Sequence, residues 1–157
     1  MFIQEQAEHF YNSYLVLKEN SESLIKCLSN SSRKMEGTSN FGRHPTMGVE
    51  VVCLSFSVEL YIKCLHYIIS RELPRSHNIL DLYKKFPIQI QEELFSYPAV
   101  KKYGWDSNEF EQMISTISDS FVKWRYSHEF KSLKYNTYFA LVFVEALRKS
   151  INSRGHR

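Results

Sequence analysis

Apolar residues recur at three- and four-residue steps through most of this chain, the period of a helix that buries one face. Residues 4 to 33 place Ala7, Phe10, Tyr11, Tyr14, Leu17, Leu24, Ile25 and Leu28 in that pattern, which predicts one long helix or two end to end. Residues 34–46 are polar, contain Gly37, Gly42 and Pro45, and are expected as a flexible loop. From 47 to 70 the apolar positions nearly encircle the helix, as expected of a central element packed on several sides. Pro74 is expected to end it, and Ser76 or His77 to open a short helix through Tyr83. Pro87 stops that helix before another at 88–95, and Pro98 and Gly104 mark a break at 97–106. Asp106 or Ser107 is placed to cap a helix running to about Lys131, and Tyr135 to Ile151 forms the last. Residues 152–157 read as a frayed basic tail.

These elements predict an all-α, up-and-down bundle of about five to six helices, with strand signals absent. The length of 157 residues suits a single domain, and a chain that is 43% hydrophobic and 15% aromatic can fill a core. A net charge of +3 is mild, so a nucleic-acid site has to be a local patch. The apolar stretch at 47–69 is interrupted by Glu50, Glu59, Lys63 and His66, and the one at 138–147 is too short for a bilayer, so no membrane span is expected. The first nine residues carry Glu5 and Glu8 where a secretory leader needs apolar residues. Cys27, Cys53 and Cys64 form no CxxC pair and read as free thiols in a reducing compartment, which points to the cytoplasm. No phosphate-binding glycine loop, GxSxG, HExxH or zinc-spaced Cys/His set occurs, so no metal or cofactor is expected.

The chemistry left is on helices. Glu59 and Lys63, four residues apart in an apolar helix, are spaced to pair, either as an internal salt bridge that fixes packing or as part of a site. His77, expected at the start of a short helix, has a capping role and a catalytic role as alternatives. The densest cluster is Arg125, His128 and Glu129. His128 continues the stripe of Phe110, Ile114, Ile117, Phe121 and Trp124, Arg125 projects beside it, and Glu129 can pair with Arg125. One alternative for this cluster is a satisfied buried polar group. The other is a metal-free RNA-cleaving pair, with a base for the 2′-hydroxyl and a guanidinium for the phosphate. Trp124, Tyr138 and Phe139 are expected to be buried, and the apolar surface of the last two helices predicts a symmetric homodimer.

Residues 58–65, Val-Glu-Leu-Tyr-Ile-Lys-Cys-Leu, followed after about a dozen residues by His-Asn-Ile-Leu-Asp-Leu-Tyr at 77–83, resemble the HEPN domains. Those commonly read Glu-Leu-x-x-Lys-x-Leu, a short loop, then His-Asp-Leu-x-x-Leu. Trp124, Arg125 and Tyr126 are similar to the Arg-Tyr that many members carry on a later helix. The resemblance implies a paired helical bundle that binds nucleotide or RNA. In many bacterial members it also implies metal-independent RNA cleavage in toxin-antitoxin or phage-defence systems, with an antitoxin or other defence protein as partner. Catalytic members space Arg and His by four to six residues. Here two residues separate Arg125 from His128, and the five-residue spacing of Arg71 to His77 is interrupted by Pro74. The function expected is therefore RNA handling, including endoribonuclease activity at Arg125 and His128 supported by Glu59, Lys63, His77 and Glu129. The alternative is a non-catalytic scaffold that binds nucleotide, RNA or protein.

Overall fold

A computed structural model describes residues 2–32, 49–118 and 135–155. Among these, seven helices and no strand occur: α1 (Phe2–Ser32), α2 (Val49–Ser70), α3 (Ile79–Lys84), α4 (Ile88–Phe95), α5 (Pro98–Lys101), α6 (Ser107–Ile117) and α7 (Thr137–Gly155). The architecture is the expected all-α bundle, and the 4–33 pattern forms one helix. The seventh helix is α5, a single turn inside the expected break, started by Pro98 in the first helical position, where its missing N–H costs nothing.

The all-round apolar pattern of residues 47–70 makes α2 the core helix, with Leu54, Val58, Tyr61, Ile62, Cys64 and Leu65 at 1% exposure or less. By length and composition α2 could cross a bilayer, yet 61% of its apolar window is covered by the rest of the chain. It packs along α1 on one side and α7 on another, with α3 against its C-terminal half. The other half of the core is aromatic. The Phe110 ring meets Tyr83, Phe95, Phe139 and Phe143 at centroid distances of 5.8, 5.5, 5.7 and 6.1 Å, in tilted or edge-to-face contacts that suit ring quadrupoles.

Helix ends follow local chemistry, at three places in particular. First, α2 ends at Ser70, the expected limit, but Arg71 and not Pro74 stops it, by taking a left-handed φ of 63° and donating its N–H back to the Tyr67 carbonyl at 3.0 Å. Second, α3 opens later than at the expected Ser76 or His77. Asn78 is its cap, its side chain accepting the Asp81 N–H at 2.9 Å, so His77 lies in the preceding loop and caps nothing. Third, α6 ends at Ile117 and does not continue unbroken to Lys131. Ser118 is extended, its hydroxyl donating to the Ile114 carbonyl at 3.0 Å and accepting the Leu80 N–H at 2.9 Å. One serine thus satisfies the end of α6 and the start of α3, and the stripe from Phe110 to His128 is interrupted there.

At the other end of α6 the predicted cap is present as a full capping box. Asp106 accepts the Glu109 N–H at 2.8 Å while the Glu109 carboxylate accepts the Asp106 N–H at 2.9 Å. Asp106→Ala is expected to lower stability by about 1 kcal/mol, read from the midpoint of urea unfolding, and an unchanged midpoint would contradict the cap.

Two further expectations are corrected. Phe139 is fully buried, but Tyr138 is 56% exposed, since neighbouring positions on a helix point about 100° apart and the core takes the Phe139 side. Residues 152–155, expected as frayed tail, belong to α7, where Arg154 forks onto Glu93, one arm at 2.9 Å. Six residues earlier on the same helix, Arg148 grips Glu8 of α1 through two bonds of 2.9 Å and lies over the Tyr11 ring. The loop expected at 34–46, together with Trp124, Arg125, His128 and Glu129, lies outside the described residues.

Candidate functional site

Three polar residues of α2, Glu59, Lys63 and His66, fall on one stripe. They are spaced i, i+4 and i+7, so they line the face toward α3 and the 71–78 loop. Glu59 is 2% exposed, and a carboxylate that far from water needs partners. Lys63 Nζ donates to its Oε1 at 2.9 Å, as the four-residue spacing predicts. The same Oε1 accepts a second bond at 2.9 Å from His77 Nδ1 in the loop, 18 residues away. Glu59 Oε2 is buried and has no hydrogen-bond partner among the described residues.

The two partners differ in exposure. The Lys63 side chain is 15% exposed, the His77 side chain 62%. A carboxylate accepts only, so Nδ1 carries the hydrogen, and in the neutral ring this leaves the lone pair on Nε2. A buried acid thus sets the tautomer of an exposed imidazole. Arg75, exposed and two residues before His77, adds a cation to the same loop, whereas Arg71 is laid over the Tyr67 ring at 5.7 Å.

Glu59, Lys63 and His77 are therefore brought together. The interaction of His77 with Glu59 was outside the reach of spacing arguments, because it joins a helix to a loop. Among the described residues no group of three or more His, Cys, Asp or Glu could hold a metal. Burial makes the Cys64 thiol a poor nucleophile by pushing it up to about 11, and it raises Cys53 as well.

A cleft of about 380 Å³ opens near the C-terminal end of α2, lined by His66, Ser70, Leu73, Pro74, Lys85 and Pro87 among others. It includes neither Glu59 nor His77. The His66 ring stacks on Phe86 at 3.9 Å and donates through Nε2 to the Leu82 carbonyl at 2.8 Å, which bonds α2 to α3. Burial, helped by the Lys85 ammonium, holds this imidazole below its ordinary value of 6.5, against the opposing pull of the Leu82 carbonyl. Unfolded His66 therefore takes up its proton at higher pH than folded His66, and stability drops as pH falls below about 6.5. His66→Gln, which keeps a donor but does not titrate, is expected to lose less stability than wild type between about pH 7 and pH 5 in urea unfolding. Equal losses would contradict this.

Four further hydroxyls, those of Tyr14, Ser57, Tyr61 and Tyr135, are buried without hydrogen-bond partners among the described residues. Burial, reinforced by the Glu8 carboxylate, pushes the Tyr61 hydroxyl far above its ordinary value, so it stays protonated.

No protein-family model, curated protein or solved structure matches this chain.

Proposed function

We propose that this chain is a HEPN-type RNA-handling protein, and that it cleaves RNA without a metal, using His77 as the base. The observation that carries the proposal is the Glu59–His77 bond, a buried carboxylate that fixes the tautomer of an exposed imidazole. A histidine kept only for packing has no need of an exposed ring, and a surface histidine has no need of a buried acid behind it. The resemblance of residues 58–65 and 77–83 to HEPN segments supports the same residues, since Glu59, Lys63 and His77 match the Glu, Lys and His of that motif, while Asn78 stands where it has Asp.

In the proposed reaction His77 Nε2 takes the proton of a ribose 2′-hydroxyl. The 2′-oxygen then forms a bond to the adjacent phosphorus, and the bond from phosphorus to the 5′-oxygen breaks. The leaving oxygen takes a proton from water, and the product ends are a 2′,3′-cyclic phosphate and a 5′-hydroxyl. A guanidinium steadies the charge on the phosphate oxygens, with Arg75 and Arg125 as its two candidates. Incubating the purified chain with RNA in EDTA tests this: cyclic phosphate ends are expected. Intact RNA after hours would leave the non-catalytic binding module in its place.

The homodimer belongs to the same proposal. Light scattering at roughly tens of micromolar is expected to give twice the chain mass, and a monomer would remove a shared cleft from the mechanism.

A further inference from the structure

We infer that Tyr103, Trp105 and Tyr138 form a stacking platform for the bases of single-stranded RNA, with Lys101 and Lys102 placed for its phosphates. The platform is built by the turn after α5. Gly104 takes a left-handed φ of 67°, which reverses the chain and lays the Tyr103 ring on Trp105, centroids 4.7 Å apart and planes within 24°. Tyr138 of α7 meets Tyr103 edge to face at 5.3 Å. Trp105 is anchored from below by Phe139, a fully buried core ring, at 5.5 Å. The outer rings are open to solvent, Tyr138 at 56% and Tyr103 at 36% exposure. Three rings at the surface, held in place by a fourth in the core, form a rigid apolar face that loses little freedom on binding.

Charge selects the occupant. Lys101 and Lys102 are exposed beside the rings and have no ion-pair partner among the described residues. The acids at hand are already engaged: Asp106 and Glu109 in the capping box, Glu145 in accepting the Tyr97 hydroxyl at 3.1 Å. The face is thus aromatic with a cationic edge, the pairing that single-stranded nucleic acid requires, since every base has a π-face and every linkage a negative charge. A trapped quaternary ammonium fits poorly, because the rings pack against one another instead of surrounding a gap, and the lysines would repel it. The choice of RNA over DNA rests on the function proposed above.

The test uses the full chain and a fluorescein-labelled 2′-O-methyl oligoadenylate of about a dozen nucleotides, which cannot be cleaved at its 2′-oxygens, with binding read by anisotropy. Tyr138→Ala and Tyr103→Ala are each expected to weaken binding by roughly 5- to 150-fold, while Tyr138→Phe retains it. Converting both Lys101 and Lys102 to Gln is expected to flatten the slope of log affinity against log salt by about 1.4. Circular dichroism identical to wild type shows that each variant is folded, and Tyr138 is exposed enough for its loss to leave the core intact. Wild type that does not bind, or alanine variants that bind as tightly as wild type, would overturn the platform. So would self-association that Tyr138→Ala abolishes without any change in RNA affinity, which would give the face to a second copy of the chain. A chain that binds through these rings but cleaves no RNA refutes the cleavage proposal alone. One that cleaves RNA while Tyr138→Ala binds normally refutes the platform alone.

Discussion

His77→Ala is expected to slow RNA cleavage about 10²- to 10⁴-fold, the usual contribution of a positioned general base. The loss should be chemical more than structural, because the His77 side chain is 62% exposed, its removal opens no cavity, and Lys63 still pairs with Glu59. Folded variant with wild-type helicity and a slow rate is the expected result. The Glu59 bond adds a second arm, since Glu59→Gln keeps the shape behind His77 but removes the charge that holds the ring and steadies it once protonated. Cleavage by Glu59→Gln should therefore fall as well, with RNA affinity preserved. If His77→Ala cleaves like wild type while His128→Ala is inert, the base is His128, and the Glu59–His77 bond is a packing device.

Glu59→Ala is expected to cost about 3–5 kcal/mol, because it strands the Lys63 ammonium in a packed helix. Two features pull toward the low end of that range. Lys63 is 15% exposed and can reach for water, and Glu59 Oε2 already lacks a partner, so part of the burial cost disappears with the acid. Replacing both residues together, Glu59→Leu with Lys63→Met, should restore most of the loss, since a matched apolar pair needs no desolvation. Urea unfolding of Glu59→Leu, Lys63→Met and the double variant closes the cycle. Additive losses would show that the two side chains do not depend on each other.

Local rules made much of the fold legible. The encircling apolar pattern marked α2 as the core helix, Pro87 marked the start of α4, and Asp106 with Glu109 spelled out a capping box. Glu59 and Lys63 could be paired from spacing because both sit on one helix. The failures were tertiary. Ser118 has no helix-breaking chemistry of its own. It ends α6 because its hydroxyl is also needed by the Leu80 N–H, 38 residues away. His77 was placed on a helix because it borders one, and its true partner is reached only when the 71–78 loop folds back over α2. Tyr138 and Phe139 are chemically alike and adjacent, so composition could not tell which faces the core. The platform had a faint signal in the run Lys-Lys-Tyr-Gly-Trp at 101–105, but its third ring comes from α7, 33 positions after Trp105.

The grip of Arg148 on Glu8 spans 140 positions and has a consequence for biosynthesis. As the chain leaves the ribosome, α1 and α2 can pair early, being neighbours in sequence. The third face of α2 stays uncovered until α7 has been made, because α7 supplies Phe139, Phe143 and Leu147 to the core. The nascent protein therefore carries an apolar helix with an open side through most of its translation, and completes its core only after residue 151 has emerged. Nascent chains halted before α7 should bind hydrophobic-surface chaperones strongly, and release them once the arginine reaches its partner.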